Sequence, residues 1–317
     1  MRATKDELTA AIQAADRFLL LTHRRPDGDT LGSAAALCRG LRACGKQAYV
    51  LRNPEMTERY QRFLDGLLVD EIPAEAVYFS VDVAAETMLA DNSKSLAGHI
   101  RLGIDHHGSN AGFAAVTWVV PEYAACGEAV MELLEQLGVA LTQPMADALY
   151  LALATDTGGF RYSNTTPDTL RRAAALQEAG AGAFAINRQF LSIKSLARLR
   201  LETMLGQRLE VMDGGKLAVC SLTPEMMSAC GATEDDIEDL ANFPRQIEGV
   251  QVAIYIRMLS DGTGKISVRT DPGIDAAAIC ARLGGGGHVA AAGATVPGDY
   301  ETVRAAILNA VSDELDP

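Results

Sequence analysis

Apolar and polar positions along the chain follow two rhythms, and the places where one gives way to the other outline the fold. Short apolar runs at Phe18 to Thr22, Gln47 to Leu51, Tyr78 to Val81, Ile100 to Ile104 and Ala115 to Val120 predict strands. Helical spacing lies between them. Thr4 to Glu7 has the form of a capping box, which starts a helix running to about Asp16, and Thr30 to Gly45 predicts the next. A short helix over Glu58 to Leu64 follows the break at Asn53 and Pro54, and helical patterns are expected in the remaining intervals. Cys126 to Leu137 and Met145 to Ala154 predict further helices, and Thr166, Pro167 and Asp168 mark another helix start. Strand and helix in alternation predict a parallel α/β sheet.

Beyond about residue 195 the rhythm changes to strands over Lys216 to Leu222, Val250 to Leu259 and Lys265 to Thr270. The last two are joined by a turn at Asp261 to Gly264. This predicts an α/β fold in two parts. Residues 1–190 form a parallel-sheet N-terminal domain, and residues 191–317 form a linker helix and a smaller α/β C-terminal domain.

Composition narrows the class. The chain has 317 residues, 48% of them hydrophobic, enough for two cores. No apolar run approaches the roughly 20 residues that span a bilayer, and Met1 to Thr4 opens an amphipathic segment instead of a signal peptide, so a cytoplasmic location is expected. Six scattered cysteines without a paired spacing read as reduced core thiols. A net charge of -13 argues against a basic face for long duplex nucleic acid, but a pocket of divalent cations would still attract phosphate.

Three strands end in ligand-type residues: the first at His23, Asp27 and Asp29, the third at Asp82, the fourth at Asp105, His106 and His107. In an open parallel sheet, groups at the carboxyl ends of the strands converge. Asp156, at a helix-loop junction, can fold over the same edge. Any single acid here reads as a helix cap, and Asp27-Gly28-Asp29 alone reads as a turn. Their convergence points to metal. Gly28 is expected to supply unusual backbone angles that let Asp27 and Asp29 serve two ions. Imidazole with carboxylate suits Mn²⁺, Fe²⁺, Co²⁺ or Zn²⁺ better than Mg²⁺, with manganese the first choice. Two such ions roughly 3.5 to 4 Å apart would generate a hydroxide and neutralise a phosphoryl group, which points to phosphoester hydrolysis.

A second feature is the run Gly284 to Gly287 closed by His288 and followed by Val289 to Gly293. Consecutive glycines can present N–H groups to phosphate, and the small residues after them are expected to start a helix against the ligand. Arg269 lies on the neighbouring strand, as a phosphate clamp or as part of an exposed face. His99 reads as structural or surface, and Trp118 and Tyr123 as packing.

Together, His23, Pro26, Asp27, Gly28, Asp29, Asp82, Asp105, His106, His107 and Asp156, with Gly285, Gly286, Gly287, His288 and Gly293, resemble the DHH/DHHA1 phosphoesterases over essentially the whole chain. The layout is most similar to the nanoRNase and pAp phosphatase branch. The resemblance implies that His23, Asp27 and Asp82 hold one Mn²⁺, and that Asp29, Asp82, His106 and Asp156 hold a second, with Asp82 bridging. It implies that His107 faces the scissile phosphate and that Asp105 orients the cluster. Arg269, Gly285, Gly286, Gly287 and His288 would hold the substrate, the active site lying in the interdomain cleft. Thr270 stands where the family often has a serine, and it keeps the hydroxyl.

The function so implied is Mn²⁺-dependent hydrolysis of short single-stranded oligoribonucleotides to mononucleotides, and of pAp to AMP. The alternative is a phosphodiesterase for linear or cyclic dinucleotides such as pGpG, pApA or c-di-AMP. A non-catalytic nucleotide-binding regulator is the remote alternative, and it would predict a damaged metal set. Partners outside the substrate are not expected at a membrane, and the oligomeric state, including a homodimer, stays open.

Overall fold

The computed structural model describes residues 2–237 and 239–315, which fall into two compact units, Met1–Ile193 and Lys194–Pro317. The first unit runs β1 (Arg2–Ala3), α1 (Lys5–Gln13), β2 (Arg17–Leu21), α2 (Gly28–Ala43), β3 (Gln47–Leu51), α3 (Gln61–Leu64), β4 (Leu68–Val69), β5 (Val77–Val81), β6 (Leu102–Asp105) and β7 (Val116–Val119). The helices α4 (Cys126–Gln136), α5 (Gln143–Asp156), α6 (Pro167–Glu178) and α7 (Ala183–Asn187) complete it. All strands are parallel, in the order β1-β7-β6-β5-β2-β3-β4. The chain leaves β2 toward β3 on one side and later returns to β5 on the other. That reversal puts the carboxyl ends of β2, β5 and β6 side by side at the switch point, where such sheets open a crevice.

Local chemistry accounts for the helix starts. Thr4 and Glu7 exchange capping bonds at α1, and Thr166 with Thr169 does the same at α6, just before Pro167. Helix α2 is buried along most of its length and approaches its neighbours closely. A Cβ at Gly32 would lie 2.3 Å from the Ala148 carbonyl oxygen of α5, and one at Gly40 would lie 2.1 Å from the Leu134 side chain of α4. The helical spacing of these small residues is therefore a packing requirement.

The interval between β5 and β6 departs from expectation. It holds short 3-10 turns over Glu86–Met88 and Asp91–Leu96, with no α-helix among the described residues. Ser93 Oγ bonds the Ala90 carbonyl and Glu86 takes the Gly98 N–H, so side chains compete with the helical ladder. The short pieces β1 and β4, which lack any readable alternation, widen the sheet at its two edges.

The second unit contains α8 (Leu196–Gln207), β8 (Glu210–Met212), β9 (Leu217–Leu222), α9 (Pro224–Cys230), β10 (Val252–Met258), β11 (Thr263–Thr270), α10 (Ala276–Ala281), β12 (Gly286–His288), β13 (Ala291–Pro297) and α11 (Tyr300–Leu315). Its sheet order is β12-β13-β11-β10-β9-β8, mixed in direction. One face packs Val252, Ile254, Ile266 and Val268 against Ile279, Val303 and Ile307 of α10 and α11. The other packs Cys220, Leu222 and Tyr255 against Leu201, Leu205 and Met226 of α8 and α9.

The helix expected after the glycine run is absent. Residues 291 to 297 form strand β13, paired with β11 over seven residues from Ala291 against Arg269 to Pro297 against Thr263. Ala292 and Ala294 turn into the core while Ala291 and Gly293 face the other side, so tertiary pairing overrides alanine's helix propensity.

Candidate metal centre

The residues after β2, β5 and β6 and at the end of α5 meet at the carboxyl edge of the parallel sheet. His23 Nε2 lies 3.7 Å from Asp27 Oδ1 and 3.7 Å from Asp82 Oδ2. His106 Nε2 lies 3.7 Å from Asp29 Oδ2, 3.6 Å from Asp82 Oδ1 and 3.6 Å from Asp156 Oδ2. These are long for hydrogen bonds. Two donors each about 2.1 Å from one ion, at angles between octahedral and tetrahedral or slightly wider, stand roughly 3 to 3.6 Å apart. His23, Asp27 and Asp82 form one group able to hold a cation, and Asp29, His106 and Asp156 form another. A third grouping, Asp82 with His106 and His107, overlaps both, because Asp82 sits between them.

Backbone and side-chain bonds aim these donors. Asn53 Nδ2 donates to the His23 carbonyl at 2.8 Å and to Thr22 Oγ1 at 3.0 Å, fixing the chain where it leaves β2. His23 Nδ1 is 2.8 Å from the Arg24 carbonyl, and His106 Nδ1 is 3.1 Å from the Tyr123 carbonyl. A carbonyl only accepts, so in both rings Nδ1 carries the hydrogen and Nε2 turns toward the carboxylates. This is the arrangement by which histidine ligands are oriented in metal sites. Asp27 caps α2, its Oδ1 accepting from Asp29 and Thr30 N–H. Asp29 Oδ2 accepts from Cys126 N–H at 2.7 Å, and its Oδ1 from Gly127 N–H and Ser33 Oγ at 3.0 Å each.

Asp82 is the strongest single sign of a cation site. It is 2% exposed and has a φ of 59°, and its Oδ1 makes no hydrogen bond of good geometry, with only His107 Nδ1 at 3.4 Å and His106 Nε2 at 3.6 Å facing it. A buried carboxylate oxygen without a donor costs several kcal/mol, roughly, unless something positive faces it. The left-handed backbone adds strain, which persists where the surroundings over-determine it. An ion placed among the three groupings would satisfy the carboxylate, and holding that geometry is what the strain would serve.

The electrostatics agree. Burial pushes Asp29 and Asp156 well above the usual carboxylate range, and neighbouring acids, Asp82 for the first and Asp27 for the second, push further. Burial alone would raise Asp82 too, but the His107, His23 and His106 imidazoles facing it hold it well below that range. Against the cost of burial, Asp27 and Asp82 raise His23 well above the ordinary histidine value. Asp105 and Asp82 likewise raise His107 to about 11. Four acids thus share one pocket, and at Asp29, Asp156, His23 and His107 the proton-bound form is favoured where a divalent ion would serve.

Asp105 stands apart from the ligand-type atoms. Its Oδ1 accepts from the backbone N–H of His106 and His107 and lies 2.8 Å from His107 Nδ1, and its Oδ2 accepts from Asn110 Nδ2 at 2.7 Å. It orients the loop that carries both histidines. Gly28 has a different duty from the one expected: it is the first residue of α2, and its place is set by contact, since a Cβ there would lie 2.4 Å from Thr155 Oγ1. The close approach brings α5, and with it Asp156, up to the motif that carries Asp27 and Asp29.

In the second unit, Arg269 on β11 opposes Ala291 on β13, which opposes His288 on β12. Directly opposed residues share a face, so Arg269 and His288 flank a small alanine floor two strand spacings, about 10 Å, wide. Arg269 Nε also reaches Asn242 Oδ1 at 3.3 Å. Gly286 and Gly287 belong to the exposed edge strand β12, preceded by Gly285. Thr270 is turned away, its hydroxyl bonding the Ile274 and Val289 carbonyls. His99 is exposed, and Trp118 is packed in the first core.

Several participants escaped the sequence reading. Asn110 lies in what reads as a plain turn, and Asn164 in a polar loop. Glu128 carried a usable signal, because an acid on the buried face of α4, among Cys126, Ala129 and Leu133, has to be paired.

The DHH family N-terminal domain matches residues 17–153, and the DHHA1 domain matches residues 214–316. The bifunctional oligoribonuclease and PAP phosphatase NrnA of Thermus thermophilus is 35% identical over 302 residues, 93% of this chain and 89% of that protein. The chain belongs to the DHH/DHHA1 phosphoesterase family. With the family comes the reaction class, hydrolysis of phosphate esters. The NrnA of Bacillus subtilis is 26% identical, covering 92% of this chain and 93% of the relative. A crystal structure of an exopolyphosphatase-related protein from Bacteroides fragilis matches with a TM-score of 0.84 at 26% identity, over 98% of this chain and 95% of that one. No helix among the described residues is long and apolar enough to cross a membrane.

Proposed function

We propose that the chain is a Mn²⁺-dependent phosphoesterase that hydrolyses short oligoribonucleotides to mononucleotides and pAp to AMP. The observation that carries this reading is the convergence of seven ligand-type residues from four segments, with Asp82 at their centre and its buried Oδ1 making no hydrogen bond of good geometry. The similarity to NrnA proteins over more than nine-tenths of the chain supplies the substrate class.

His23, Asp27 and Asp82 would hold one ion, and Asp29, Asp82, His106 and Asp156 the other. Divalent ions bound there acidify water and neutralise charge on a phosphoryl group. Asp105 holds the His107 ring in place and protonated, so that it offers a cation to a phosphate oxygen. Asp105 never needs to touch substrate to do this. In the second unit, Arg269, His288 and the N–H groups of Gly285, Gly286 and Gly287 bind a substrate phosphate, and the alanine floor at Ala291 leaves room for it.

The test is to incubate the full chain and Mn²⁺ with 5′-labelled di- to pentaribonucleotides, pAp, linear and cyclic dinucleotides, and pyrophosphate in parallel, resolving products over time. Mononucleotides from the short oligomers and AMP from pAp are expected. Rapid pyrophosphate cleavage with inert oligonucleotides, or no turnover of any substrate, would overturn the reading.

A further inference from the structure

The donors Asp29, His106 and Asp156 come from α2, from the loop after β6 and from the end of α5, and they share no element. All three are nevertheless tied to one five-residue stretch, Tyr123 to Gly127. The Tyr123 carbonyl lies 3.1 Å from His106 Nδ1. The Ala124 carbonyl accepts from Asn164 Nδ2 at 3.1 Å, and the same amide nitrogen reaches the Asp156 carbonyl at 3.2 Å. Cys126 and Gly127 donate their N–H groups to Asp29. The ties of His23 run elsewhere, to Arg24 and Asn53.

The stretch has its own anchor. Glu128, 1% exposed, accepts from Ala124 N–H at 3.2 Å and from Thr169 Oγ1 at 2.8 Å, and it pairs with Arg172 of α6. The Arg172 guanidinium lies 4.2 Å over the Tyr123 ring and donates to its hydroxyl at 2.9 Å, while that hydroxyl donates to Glu132. A buried ion pair adds little stability over an apolar pair of the same shape, because desolvation offsets its attraction. What it does supply is geometry, since every partner has a fixed direction.

We propose that Tyr123 to Gly127 is a splint that sets the cation affinity of the Asp29, His106 and Asp156 group. Asn164, Glu128 and Arg172 act as positioning residues, and the His23, Asp27 and Asp82 group, apart from the shared Asp82, is oriented by other partners. The inference rests on the metal reading above, and metal binding tests it without substrate. Mn²⁺ is titrated calorimetrically into the metal-stripped full chain in two backgrounds. His23→Ala leaves the splinted group as the reporter, and His106→Ala leaves the other.

In the His23→Ala background, Asn164→Ala and Arg172→Met should each weaken the remaining ion about tenfold, the low end of the effect of groups that orient ligands. In the His106→Ala background the same changes should shift affinity clearly less, because only the shared Asp82 and the Asp29 N–H bond to Asp27 link the stretch to that group. Asn164 is exposed, so its variant keeps the test open if Arg172→Met folds poorly. Equal weakening in both backgrounds, or a lower melting temperature without selective loss of affinity, overturns the splint alone. A wild-type chain that binds no Mn²⁺ overturns the metal reading and the splint with it.

Discussion

The carboxyl edge of the first sheet and the β12-β13-β11 face of the second both gather polar groups suited to phosphate chemistry, yet they are built in opposite ways. At the first, His23, Asp29, Asp82 and Asp105 are buried and backbone partners fix the directions of the donors: Asp29 by the start of α4, His106 by Tyr123, Asp105 by the His106 and His107 N–H groups. At the second, His288 and the glycines lie exposed on an edge strand. Buried charge has no structural purpose of its own, so the first region declares a ligand. Glycine in a strand often has one.

The largest expected effect breaks the comparison at its firmest point. Asp82→Ala removes the carboxylate shared by two of the three groupings, and turnover should fall more than roughly 10³-fold, beyond the loss of a single electrostatic donor. Near-normal activity in the variant, measured at saturating Mn²⁺, would refute a bridging role. Binding of one ion instead of two, read by calorimetry, would place the loss in the metal centre.

The second region is sharpened by separating its glycines. A Cβ at Gly285 would lie 2.2 Å from the Gly293 carbonyl oxygen, whereas nothing lies within 4 Å of one at Gly286. Gly285→Ala should therefore cost about 1 to 3 kcal/mol of stability, as overpacking does, seen as a lower melting temperature. Gly286→Ala should leave the melting temperature nearly unchanged. If the face binds phosphate through its N–H groups, Gly286→Ala should raise KM with kcat little changed, and Arg269→Ala should raise it about tenfold or more, the worth of one charge-assisted hydrogen bond. Unchanged KM in both variants would reduce the glycine run to sheet packing.

Legibility in the sequence follows the same division. The parallel sheet could be read because its central strands are apolar runs that end in acids and histidines, and those endings named the cluster without any geometry. Parts held by tertiary pairing could not be read. Strand β13 looks like a helix start because alanine and glycine carry little strand signal, and only its register with β11 fixes it. Gly28 was legible as a glycine that matters, but the reason, Thr155 pressed against it from α5, depends on a contact 127 positions away along the chain. The splint from Tyr123 to Gly127 was hidden for a related cause, since four of its bonds to the cluster and to Asn164 are made by backbone atoms, which every residue type supplies.

The smallest effect tests whether the first region is a proton trap when metal is withheld. His23 is raised well above the ordinary histidine value and His107 to about 11, so the folded chain keeps protons that the unfolded chain releases near pH 6.5. Their contribution is fully present below about pH 6.5 and is lost as pH rises toward the folded values. Asp29 and Asp156, raised by burial and by like charge, act in the same direction, costing stability once they ionise. The metal-stripped chain should therefore unfold at lower urea as pH goes from 6.5 to 9. Mn²⁺ bound as proposed would displace the proton from His23 Nε2, so its affinity should rise over the same interval and the loaded chain should lose less stability. Parallel declines with and without Mn²⁺ would mean that the cluster titrates without holding the ion.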